Sequence, residues 1–154
     1  MGKTYEKTEF PSKKIASTFW WDTFAILFLI GLVVSIGLEF FVANMNMNSA
    51  IGFASFIYEH ELLINIISLV LSVALTLGAL LIAIKKIRKR AIVKKEQVNE
   101  IAIKCLIKWI IYFAIVVAYY LLFSELTLWI VLGQVLETAI GTLFGRYLIS
   151  KEAV

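Results

Sequence analysis

Four apolar runs, each about twenty residues long and so able to cross a roughly 30 Å hydrocarbon layer, constrain this chain more than any other feature. They lie at about 19–42, 62–84, 101–123 and 126–148 of 154 residues. Composition agrees: 61% of residues are hydrophobic and 17% are charged, against roughly 45–50% and about 25% in soluble domains. The expected fold class is all-α, a polytopic integral membrane protein built as a four-transmembrane-helix bundle. Residues 1–18 read as an N-terminal tail, 43–61 as an outer loop, 85–100 as a basic loop and 149–154 as a short C-terminal end. The first run, behind Phe19, Trp20 and Trp21, is longer than a signal-peptide core and has no small-residue cleavage pattern, which predicts a retained helix.

Charge placement sets the expected topology. All Lys and Arg residues fall in the tail, the central loop with its flanks, or the C-terminal end; none lies between Lys14 and Lys85 or between Lys108 and Arg146. The positive-inside rule then puts both termini in the cytoplasm (N-in/C-in) and the protein in the cell membrane. Lys85, Lys86, Arg88, Lys89 and Arg90 follow the second run at once, a position that favours anionic lipid head groups over nucleic acid. Lys104 and Lys108 are close enough to that surface to snorkel. Between the first two runs there is no basic residue. Ile51 to Tyr58, too short to cross, is expected to be interfacial or re-entrant. Glu59, His60 and Glu61 are consecutive, so on a helix they point in different directions and do not make a metal site.

The polar residues inside the apolar runs carry the functional expectations. On the second run Asn65, Ser68, Ser72, Thr76, Ala79 and Ala83 recur at three- and four-residue steps and trace one seam suited to close helix packing. On the first, Gly31, Ser35 and Glu39 share a face. On the last, Glu137 stands near the middle of the run, accompanied by Gln134, Thr138, Gly141 and Gly145 at helical spacing. A charge at that depth costs at least about 2.5–3.5 kcal/mol on insertion scales. It therefore requires protonation, a hydrogen bond, a partner or water. Tyr112 on the third run, at matching depth, is the expected partner of Glu137. Gly141 and Gly145 form a G-x-x-x-G pair that permits close approach.

One histidine, one cysteine and no nucleotide or metal motif leave no nucleophile with its base to assemble, so the chain reads as non-enzymatic and without a cofactor. The expected function is a channel or transport component using the polar face around Glu137. Four helices of this length hardly enclose a wide pore alone, so association into a homo-oligomer is expected. The alternative is an accessory or structural subunit whose polar and glycine faces dock on larger membrane partners. Lipids are expected partners in either case.

Overall fold

The Trp109 indole lies against the backbone of Gly141, and a Cβ added at that glycine would stand 2.5 Å from the ring. This contact fixes how two helices meet. It belongs to a computed structural model, which describes residues 6–154 as an all-helical protein. Among the described residues there are five α-helices: α1 (Ser12–Ala43), α2 (Met47–Glu59), α3 (Glu61–Arg90), α4 (Val98–Phe123) and α5 (Leu128–Glu152). The four other than α2 are long and apolar enough to cross a membrane. They form a ring in the order α1, α3, α5, α4, in which each helix packs against its two neighbours.

The helices begin and end where local chemistry directs. The Thr127 hydroxyl accepts from the Ile130 amide at 3.3 Å and caps α5, so the helix starts just past the expected boundary at Leu126. Asn46 caps α2 in the same way, accepting from the Ser49 amide at 2.8 Å. The outer loop thus contains a helix of its own, which buries no residue and touches the bundle through its junction with α3 and a Phe41–Phe53 ring contact. At its other end α3 runs on through Lys85–Arg90, because Lys and Arg are good helix formers and cations suit a helix C-terminus. The stretch read as a basic loop is therefore half helix. Similarly, α1 starts at Ser12, inside the stretch read as tail, and α5 continues to Glu152.

The described Lys and Arg residues cluster at one end of the ring, called here the basic end. There the chain makes small extended pairings. β1 (Thr8–Glu9) runs parallel to β2 (Ala91–Ile92), and Val93 bridges to Ala153. The Val154 amide donates to the Val93 carbonyl at 3.0 Å, and the Lys95 amide to the Val154 carbonyl at 3.3 Å. Side chains reinforce this clasp. Ser12 donates to Glu100 at 3.0 Å, Gln97 to the Phe10 carbonyl at 3.2 Å, and Lys94 pairs with Glu9 at 3.1 Å.

Burial is equally one-sided. The core consists of Ile15, Ala16, Phe19, Leu80, Ala83, Ile84, Ile87, Ile101, Cys105 and Ile149 with their neighbours, all toward the basic end. By contrast, α1 from Gly31 to Ala43 is exposed along its whole length. The outward faces are strongly apolar: Val33 is 69% exposed, Leu143 70% and Leu122 75%. Leu80→Ala and Ile101→Ala should each lower stability by about 2–5 kcal/mol, the cost of a core truncation. Leu32→Ala, beyond the core, should stay within about 0.5 kcal/mol. Thermal unfolding in one detergent checks the contrast.

Candidate functional site

Where the core stops, the four long helices separate around an open cavity whose mostly apolar wall carries a set of polar side chains. An aromatic layer marks the boundary. Trp20 meets Trp109 edge-on with ring centroids 5.7 Å apart, and stacks on Phe24 at 5.0 Å. Tyr112 closes the cluster at 5.3 Å from Phe24 and 6.2 Å from Trp109. Two α5 glycines make room for this layer. Besides Gly141 under Trp109, Gly145 faces Phe19, whose ring would lie 3.2 Å from an added Cβ. The G-x-x-x-G pair serves as a seat for aromatic side chains from α4 and α1.

From this floor the cavity extends toward the α2 end in two lobes with shared walls. One, of about 720 Å³, lies among α3, α4 and α5 and reaches Asn65 and Thr127 near the helix termini. The other, of about 850 Å³, lies along α1 and reaches Thr76 and Glu137 at its deep end. Ser68, Ser72, Tyr112, Tyr119 and Tyr120 line both. Both volumes fall in the range of about 300–1,000 Å³ typical of ligand pockets.

Glu137 lies nine residues into α5, at the deep end of the second lobe. Its carboxylate has no ion-pair partner among the described residues, and no hydrogen bond joins it to Tyr112, although the two share the cavity wall. Gln134 lines the first lobe, and its Oε1 is buried without a donor. Thr138 is half-buried beside them and outside the lining. Arg146 is committed elsewhere: Nε and an Nη donate to Asn99 Oδ1 at 3.1 and 2.9 Å.

The α3 seam divides in two. Asn65, Ser68 and Ser72 line the cavity, whereas Ala79 and Ala83 are buried in the core and Thr76 stands at the junction. Ser68 and Thr76 each donate their hydroxyl proton to a carbonyl one turn back, Ile64 and Ser72, both at 2.8 Å. Their oxygens therefore present lone pairs. Ser35 and Gly31 of α1 reach the second lobe, while Glu39 lies beyond it.

Sequence reasoning missed Tyr119, Tyr120 and Trp129 as cavity residues and Trp109 as floor, since an aromatic near the end of an apolar run reads first as an interface anchor. The available signal was the stripe Cys105, Trp109, Tyr112, Val116 and Tyr119, which keeps one α4 face toward the interior.

The basic cluster is partly neutralised. Lys86 approaches Asp22 at 3.8 Å, and Arg88 donates from Nε to Glu152 at 2.8 Å, an ion pair that raises the guanidinium further above its ordinary range. Lys85, Lys89 and Arg90 remain for other contacts. At the opposite end His60 Nδ1 lies 2.9 Å from the Phe56 carbonyl, and among the described residues no three His, Cys, Asp or Glu side chains gather as a metal site.

No family model, curated protein or solved structure matches the chain. The cavity itself is what bears on function.

Two measurements examine this geometry. Gly141→Ala should cost about 1–3 kcal/mol through overpacking against the indole, and Trp109→Phe in the same chain should recover part of it; thermal unfolding reads both. Ser72→Cys should react with a membrane-impermeant maleimide, whereas Ala83→Cys should not, and native Cys105, buried in the core, should add little background.

Proposed function

We propose that this chain is a small membrane transport component, with its basic end in the cytoplasm and its cavity open to the opposite side. The observation that carries the reading is the position of Glu137, an acid without an ion-pair partner among the described residues, at the inner end of an open cavity. An ionised carboxylate in the middle of a membrane is costly unless water, a partner or a bound proton compensates it. A cavity that admits water and solute supplies that compensation and gives the acid an occupant to exchange.

Entry runs from the α2 end past Asn65, Thr127 and the tyrosines to Glu137. The aromatic layer of Trp20, Trp109 and Tyr112, backed by the core, closes the other side. The arrangement corresponds to one state of a two-state carrier: access from one side and a dry seal on the other. Passage requires the aromatic layer to part, or copies of the chain to complete a route together. Glu137 acts throughout as a proton- or solute-binding group and not as a catalyst.

A second reading, an accessory subunit, is favoured by the exposed surface of α2 and of α1 beyond Gly31, including Gly37, around which no atom of the chain stands within 4 Å of an added Cβ. The mass of the complex extracted in mild detergent separates a self-assembled carrier from one piece of a larger assembly.

In proteoliposomes carrying an internal pH dye, the wild type should pass protons and Glu137→Gln should abolish proton-linked flux, with Glu137→Asp retaining part of it. No flux in the wild type, or equal flux in the Gln variant, rejects the transport reading.

A further inference from the structure

We propose that the cavity selects an organic cation, a protonated amine carrying an apolar body, with the amine held near Glu137 and the body along the tyrosine walls. The proposal deepens the reading of this cavity as a solute site and rests on it.

Three independent features of the wall point the same way. First, its formal charge is of one sign: Glu137 is an acid, and neither lobe is lined by Lys, Arg or His. The nearest candidate cations are otherwise placed. Lys108, one turn from Tyr112 on α4, lies outside the lining; Lys86 faces Asp22, and Arg146 is held by Asn99. Second, part of the polar wall offers acceptors. Ser68 has turned its only proton back to its own helix, so its oxygen presents lone pairs beside Asn65, Tyr112, Tyr119 and Tyr120, whose amide and phenol groups can accept as well as donate. Third, six aromatic side chains share the remaining surface with aliphatic ones. Phe24, Phe28, Tyr112, Tyr119, Tyr120 and Trp129 contribute to the two lobes, and ring faces attract cations electrostatically while accepting apolar groups.

Size narrows the class further. Lobes of about 720 and 850 Å³ greatly exceed a bare metal ion. Glu137 has no second acid beside it in the lining to help enclose one. An ammonium group bearing an alkyl-aromatic tail suits both the acid at the inner end and the rings along the approach. An alkyl-aromatic carboxylate has the same tail and the wrong head, and it would meet Glu137 as a like charge.

Equilibrium binding to the protein in lipid nanodiscs at neutral pH, corrected with empty nanodiscs, tests this. Radiolabelled phenylbutylammonium and phenylbutanoate serve as a matched pair. The wild type should bind the ammonium at least about tenfold more tightly than the carboxylate, since charge complementarity is what differs. Glu137→Gln should remove most of that preference, and Glu137→Asp, which keeps the charge, should restore it. Gel filtration and thermal unfolding show whether the Gln variant is folded; if it is not, Tyr119→Leu, which removes a ring shared by both lobes and no charge, should weaken ammonium binding severalfold, and unchanged binding overturns the proposal. Equal or tighter binding of the carboxylate overturns the proposal. Binding of neither probe by a wild type that passes protons overturns it too, while leaving the transport reading in place. Conversely, selective ammonium binding without any flux supports the site and rejects transport.

Discussion

The seating of aromatic rings on the glycine face of α5 is the contact on which the rest depends. Without a side chain at Gly141 and Gly145, Trp109 and Phe19 can pack against the α5 backbone. In lipid, where apolar groups gain little by leaving the solvent, such shape-matched contacts are a main source of helix association. Trp109 joins α4 to its neighbour α5, and Phe19 reaches across the ring from α1 to Gly145; together they mark the level at which the bundle closes. The cavity lies beyond that level, with Phe24 and Tyr112 shared between layer and wall, and the main core lies on the near side of it. A β-carbon on α5 would move the floor, and with it the surroundings of Glu137.

The basic end supplies the complementary constraint. Alternating attachments from the N-terminal stretch, the central connection and the C-terminal stretch meet there: β1 on β2, Val93 on Ala153, and Glu9, Glu100 and Glu152 on Lys94, Ser12 and Arg88. Acidic residues are interspersed with basic ones along this rim, so part of the positive charge that gives the chain its expected orientation is internally compensated. Lys85, Lys89 and Arg90 have no ion-pair partner among the described residues.

Much of the helical framework was legible in the sequence, because runs of this length and apolarity have few alternatives. Its boundaries were less so. Arg88 to Arg90 look like a loop in hydropathy terms, yet they are good helix formers at a helix C-terminus, and α3 passes through them. α2 was hidden because Ile51 to Tyr58 is too short to count as a crossing segment, and its Asn46 cap is visible only when a helix is already suspected. For the site, Ser68 and Ser72, grouped by spacing, both line the two lobes, whereas Gln134 lines the first lobe and Glu137 the second. Spacing could not show that the α3 seam changes character midway, since Ser72 and Thr76 are similar residues that both line the second lobe, and only past Thr76 do Ala79 and Ala83 enter the core. Nor could it show that no hydrogen bond joins Tyr112 to Glu137, because matching depth on two helices fixes height and not orientation.

The extended pairings at the basic end also have a mechanical meaning. They bind the two helical hairpins together at one extremity, while the other extremity has little core to hold it. A 25-residue helix such as α5 is about 38 Å long, so tilting it by about 5° about the fastened end displaces its far tip by about 3 Å. Such a lever can widen or narrow the mouth of the cavity without breaking a hydrogen bond inside any helix, and its fulcrum is the short stretch from Ala91 to Val93 to which both the N-terminal and the C-terminal strands are tied.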